Sequence, residues 1–164
     1  MIQIHPSARI SKLADIEDSV RGTKIIIGED SVIDSFVKIS PAGGIEDLII
    51  GKRVFINSGC VMYTGNGIKI GNDVGIAANC TFAPTSHEYT NYDIPMRYQG
   101  FRPSKGGIII EDDVWIGANC VLLDGAILRK GCIIGAGSLV KSEVASYSIS
   151  AGNPLRHIKY RNEV

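Results

Sequence analysis

His87 opens the long irregular stretch of the chain, Ala83 to Gly107, and is followed by Glu88 and then Asp93. An imidazole can take up a proton and return it near neutrality, so a loop histidine is a candidate general base. Either carboxylate could orient its ring through the other nitrogen, and either serves equally as a solvated loop charge. The remaining histidines, His5 and His157, lie at opposite ends of the chain, which argues against a three-histidine zinc site. Cys60, Cys80, Cys120 and Cys132 form no C-x-x-C pair and have no zinc spacing. No phosphate-binding glycine loop, Ser/His/Asp order or kinase motif is present. The stretch after His87 also carries Tyr89, Tyr92, Tyr98 and Phe101. That is too aromatic for a disordered linker, so it reads as an ordered arm.

The element that must carry this arm has a period of six. Ile110, Ile116, Leu122, Leu128, Ile134 and Val140 recur without a slip, and a small or branched residue precedes each by two positions: Ile108, Val114, Cys120, Ala126, Cys132 and Ser138. A period of six is neither helical nor strand-like; it marks a solenoid in which each hexad supplies one short strand and one corner. Extending the register backwards gives the triplets Ile4, Ile10, Ile16; Ile27, Ile33, Ile39; Ile50, Ile56, Met62; and Ile70, Ile76, Phe82. With the two later triplets this predicts about six triangular coils in an all-β solenoid. The step between triplets exceeds six at every coil but the last, so all insertions should share one edge of the prism. The four cysteines fall at small corner positions, where packing is their ordinary role. Cys60, Cys80 and Cys120 should stack at about the ~4.8 Å strand spacing. That spacing could tolerate a disulfide, and a reduced ladder is the expectation.

Composition narrows the function classes. The 164 residues fit one domain, and 17 basic residues balance 17 acidic ones. A neutral chain has no surplus charge to hold nucleic acid or an anionic membrane. No apolar run approaches the ~18 residues of a membrane helix, and the N-terminal residues lack signal-peptide character. A cytoplasmic protein is expected. The hexads stop after Val144, dividing the chain into a solenoid at 1–146, with the loop at 83–107, and a tail at 147–164. Asn153 as a cap with Pro154 behind it predicts a short C-terminal helix that closes the open end.

These residues resemble a known family. Thr85-Ser86-His87, Val114-Trp115-Ile116-Gly117-Ala118, Ile134-Gly135-Ala136-Gly137-Ser138-Leu139-Val140 and Ala151-Gly152-Asn153-Pro154 are similar, in order and spacing, to motifs of the hexapeptide-repeat acyltransferases. The similarity runs roughly from Ile50 to Arg161 and is strongest to the galactoside and maltose O-acetyltransferases and related polysaccharide acetyltransferases. It implies a left-handed parallel β-helix, a hand that periodicity does not reveal. It also implies a homotrimer with active sites between subunits and acetyl-CoA as the acyl donor, without a metal. In this chain Glu88 follows the histidine where many members carry Pro.

The resemblance also assigns roles. His87 would be the general base for direct acetyl transfer to a sugar hydroxyl, in surface polysaccharide or lipopolysaccharide assembly. Asn57, one residue after core Ile56, matches a substrate-side asparagine, although Asn equally suits a solenoid turn. Tyr89 and Tyr98 would suit stacking on the sugar, or packing within the loop. The pantetheine arm would run past Trp115, Ala118, Ala136 and Gly137, where small residues admit it to backbone amides. Lys141, Arg156 and Lys159 would meet the CoA phosphates. Two rivals share these residues: N-acetylation of an amino sugar on a nucleotide carrier, and a non-catalytic β-helix scaffold or binding module.

Overall fold

The computed structural model describes residues 1–163. Each coil contributes three strands. The first coil holds β1 (Ile2–Ile4), β2 (Arg9–Ile10) and β3 (Asp15–Ile16); the second β4 (Ile25–Ile27), β5 (Val32–Ile33) and β6 (Lys38–Ser40). The third holds β7 (Leu48–Ile50), β8 (Phe55–Ile56) and β9 (Val61–Tyr63); the fourth β10 (Ile68–Ile70), β11 (Gly75–Ile76) and β12 (Thr81–Ala83). The arm follows, with a single 3-10 turn at Met96–Tyr98. The fifth coil holds β13 (Ile108–Ile110), β14 (Trp115–Ile116) and β15 (Val121–Leu123); the sixth β16 (Ile127–Leu128), β17 (Ile133–Ile134) and β18 (Leu139–Val140). β19 (Glu143–Val144), β20 (Ser148–Ala151) and β21 (Arg156–Tyr160) end the chain.

Strands from successive coils pair in parallel to give three faces: β1 through β19 on the first, β2 through β20 and then β21 on the second, β3 through β18 on the third. The solenoid is a left-handed parallel β-helix. No coil can cover its own apolar interior, so stacking is what stabilises it. The register follows the period of six: Ile50 pairs with Ile70 and Ile70 with Ile110, while Ile76 pairs with Ile116 and Ile116 with Ile134. These residues lie within a continuous buried core, each contributing about 1.5–3 kcal/mol as an upper bound. Cys60, Cys80 and Cys120 are buried and free, each thiol donating to a carbonyl of the next coil at 3.2 Å.

The three edges of the prism differ. At the second corner, between the second and third faces, the chain turns tightly through left-handed backbone, with φ 60° at Asn79, 58° at Asn119 and 71° at Gly137. Asn and Gly tolerate that conformation best. The third corner, between the third face and the next coil's first, carries the insertions 17–24, 41–47, 64–67 and 84–107. All the longer loops therefore share one edge.

The C-terminal helix expected from Asn153 and Pro154 is absent, and the segment forms β21 instead. It runs antiparallel to β20, with Ser148 opposite Tyr160 and Ala151 opposite Arg156. The reason is edge pairing. β20 belongs to the second face, and beyond it lies a row of unpaired backbone groups that Arg156-His-Ile-Lys-Tyr160 can satisfy. A helix this short would have to nucleate on its own, which is unfavourable.

Candidate active site

The arm leaves the third corner after β12 and returns as a narrow antiparallel ribbon. Arg102 donates its N–H to the Ser86 carbonyl at 2.8 Å, and Glu88 to that of Gly100 at 3.0 Å. His87 and Phe101 sit opposite each other between these bonds, and their rings approach to 4.8 Å at a tilt. At the tip, the Gln99 side-chain amide donates to the Asn91 and Ile94 carbonyls at 2.7 and 2.6 Å. At the stem, the Asp124 carboxylate accepts from the N–H groups of Lys105 and Gly107, and from the Asn66 amide at 3.2 Å. These bonds fix the ribbon at both ends and make the arm ordered.

Two cavities flank this ribbon. One, of about 270 Å³, is lined by Ala42, Gly43, Tyr63, Ala83, Thr85, His87 and Phe101. The other, of about 340 Å³, lies toward the later coils and is lined by Ser86, Arg102, Pro103, Lys105, Leu123, Asp124 and Lys141. Its only acid, Asp124, is already taken up by the stem, so three cations dominate the lining. A larger cleft of about 500 Å³ lies along the first face against Ile49, Lys69 and Ile109, and contains none of the candidate residues. The exposed imidazole of His87 opens into the first of the smaller pair, and its neighbours Ser86 and Arg102 line the second.

Glu88 does not hydrogen-bond the His87 ring. Its carboxylate instead accepts the N–H groups of Tyr89 and Thr90 at 2.8 and 3.1 Å, which holds it below the usual carboxylate range. Asp93 donates its backbone N–H to the Asn91 side-chain oxygen at 2.9 Å and makes no side-chain bond to His87 among the described residues. Tyr89 is engaged by Arg102, whose guanidinium reaches its hydroxyl at 2.8 Å. Tyr98 lies beneath Arg97 near the arm's tip. Neither tyrosine lines the cavity that His87 opens into.

The other candidates lie elsewhere on the prism. Asn57, Ala118, Ala136 and Gly137 share the second corner, in coils three, five and six. There the Asn57 amide donates to the Ile76 carbonyl at 2.9 Å, a bond between coils. Nothing would meet a Cβ placed on Gly137, so the surface beside it is open. Trp115 sits on the second face, where its half-exposed indole lies over Gly75. Arg156 and Lys159 lie in β21 at the edge of that face, and Lys159 donates to the Glu163 carbonyl at 3.0 Å. Lys141 alone joins His87 at the third corner. One chain therefore brings together His87, Lys141 and the cations of the arm, and leaves the second-corner set at the far side of the third face.

Sequence reasoning passed over Tyr63, Ala42, Gly43, Lys105 and Asp124. The signal for the first was available: Ile39, Met62 and Phe82 pair in register, which places Tyr63 at the corner where His87 departs. Among the described residues no cluster of His, Cys, Asp or Glu is placed to hold a metal ion, and no helix is long and apolar enough to cross a membrane.

Residues 107–142 match the family described as bacterial transferase hexapeptide (six repeats), and residues 47–81 match the hexapeptide repeat of succinyl-transferase. A Mycobacterium tuberculosis protein named "Probable acetyltransferase" is 30% identical over 114 residues, covering 70% of this chain and 37% of its own length. The chain spans only 26–37% of the curated relatives it matches. Among solved structures, AntD, an N-acyltransferase from Bacillus cereus in complex with dTDP and 3-hydroxybutyryl-CoA, superposes with a TM-score of 0.81 at 25% identity, covering 98% of this chain and 83% of that one. A hexapeptide-repeat acetyltransferase from Vibrio cholerae, complexed with acetyl-CoA, gives 0.71 at 28% identity, covering 87% and 72%.

Proposed function

Since the chain is a hexapeptide-repeat β-helix of the bacterial transferase type, we propose that it moves an acetyl group from acetyl-CoA to a sugar hydroxyl, with His87 as general base. The observation that carries this reading is that His87 lines a cavity with few polar groups, while Ser86 and Arg102 of the same ribbon line one rich in cations. A polyanionic donor fits the second, where Arg102, Lys105 and Lys141 outnumber the one lining carboxylate, Asp124, and Arg102 meets Glu88 only at 4.0 Å. The open backbone at Gly137 likewise suits a slender pantetheine chain. Bound acetyl-CoA would supply an activated thioester.

His87 would remove the acceptor's proton as its oxygen attacks, then return that proton to the departing CoA sulfur, so no covalent enzyme intermediate is required. Lys141 would hold phosphate, with Arg156 and Lys159 further along the donor. Because His87 and Ala118, Ala136 and Gly137 occupy different corners, their combination calls for a second copy of the chain. We therefore propose a homotrimer with sites between subunits, working in the cytoplasm on surface polysaccharide or lipopolysaccharide precursors. A second reading, transfer to an amine on a nucleotide-linked sugar, draws support from the likeness to AntD, whose structure contains dTDP.

The test is release of free CoA thiol from acetyl-CoA across a panel of sugars and amino sugars. An acid–base role is worth on the order of 10²–10⁴ in rate. His87→Ala should therefore lose at least a hundredfold in kcat while acetyl-CoA affinity stays the same. Full turnover by that variant would remove His87 as base.

A further inference from the structure

The geometry points to an acceptor whose buried edge is deoxygenated: a 6-deoxy sugar, with a methyl group where an ordinary hexose carries a hydroxymethyl. The inference rests on the acyl-transfer reading, and comes from the lining of the cavity beside His87. Its walls come from the earlier coils. Ala42 and Gly43 belong to the insertion after β6, Tyr63 ends β9, Ala83 ends β12, and Thr85 and Phe101 flank His87. No charged side chain lines it. Apart from the imidazole, its side-chain polar groups are the hydroxyls of Tyr63 and Thr85, and the Thr85 hydroxyl already donates to the Gly43 carbonyl at 3.5 Å.

That hydroxyl is wedged in place. A Cβ on Gly65 would come within 2.1 Å of the Thr85 oxygen, and one on Gly43 within 2.9 Å, so both glycines are needed to seat it. Tyr63 and Phe101, each about half exposed, offer ring faces on which the apolar side of a sugar can lie. A fully hydroxylated hexose would turn several hydroxyls toward these rings and find side-chain partners for few of them, and a hydroxyl that gives up water there without gaining a partner is unfavourable. Replacing the exocyclic hydroxymethyl by methyl removes one such group and presents a carbon to the rings. Apolar pockets reject an added hydroxyl only moderately, by on the order of 10²-fold. The preference is thus a bias set by the walls of this chain.

The experiment uses three pairs of methyl glycosides that differ only at C6: glucoside and quinovoside, galactoside and D-fucoside, mannoside and D-rhamnoside. For each pair kcat/KM is measured with acetyl-CoA, and binding of the glycoside alone is followed by ligand-observed NMR. In at least one pair the deoxy member should be favoured by about 10- to 100-fold in both readouts. Tyr63→Ser, which replaces a ring face with a small polar group, should narrow that ratio, with acetyl-CoA titration confirming that the variant is folded. Equal or better use of the hydroxylated member in every pair, or a ratio unmoved by Tyr63→Ser, overturns the inference. So does acetyl-CoA binding without detectable binding of any glycoside, and that result leaves acyl transfer standing. Discrimination among the glycosides without acetyl-CoA binding has the opposite meaning: the cavity is correctly read and the acyl-transfer reading fails.

Discussion

At the scale of single residues, Glu88 shows how neighbours in sequence can serve different ends. It follows the candidate base, yet its carboxylate anchors a turn through the N–H groups of Tyr89 and Thr90. Those bonds lower its pKa from the ordinary 4.5. A carboxyl whose folded pKa is depressed contributes order that is complete above its unfolded value and disappears as the pH falls through the folded value. The turn should therefore hold above pH 4.5 and loosen below it. In an acid titration followed by NMR, the Tyr89 and Thr90 amide signals should shift together below pH 4.5. A midpoint at or above that value would remove Glu88 as their anchor. His87 could be singled out from sequence because its place at the start of the long loop coincides with the Thr85-Ser86-His87 motif of the family. The partner of Glu88 could not, because it depends on the side-chain torsions of a turn that spacing does not specify. Asn57 fitted two roles from the start, and its amide bond to Ile76 is the one the fold supplies.

Among the elements, the arm and the terminal strand were legible to different degrees. The arm's order could be read from its aromatics, but its fastening could not. Asp124 lies far along the chain and meets the stem only because the fifth coil stacks on the fourth. Its carboxylate accepts three bonds, from Lys105, Gly107 and Asn66. Hydrogen bonds to a charged group contribute about 1.5–3 kcal/mol each when well formed, and less where water can replace them. Asp124→Ala should free the stem without unfolding the core. Displacement of catalytic groups by an ångström can lower rates by on the order of 10²-fold. The expected outcome is a kcat loss of roughly tenfold or more with almost no change in Tm, checked by thiol release and calorimetric melting. A large fall in Tm with kcat preserved would mean that Asp124 serves the solenoid instead of the arm. At the C-terminus the Asn153-Pro154 signal was read as a helix start, and the sheet edge at β20 outweighed it. Local capping preferences are weak beside a row of backbone groups that need partners.

Across the whole molecule, the period of six was the most legible feature, because every coil repeats the same burial problem and has the same solution. Each aliphatic residue of the register from Ile27 to Val140 lies in the core, and the insertions collect on one edge. What a single chain's sequence could not display is the separation of its candidate residues between two corners. His87 and Lys141 stand at the third, Ala118, Ala136 and Gly137 at the second, and in the proposed trimer a neighbouring copy would unite them. Donor binding and assembly are therefore coupled in the proposed trimer. The most direct measurement is calorimetric titration of the chain with acetyl-CoA, with sedimentation run on the same sample. The account predicts about one acetyl-CoA bound per chain of a trimer, and binding weakened by tenfold or more, about 1.4 kcal/mol, in Lys141→Ala. Absence of binding at millimolar acetyl-CoA, or undiminished binding by a chain that sediments as a monomer, would contradict it.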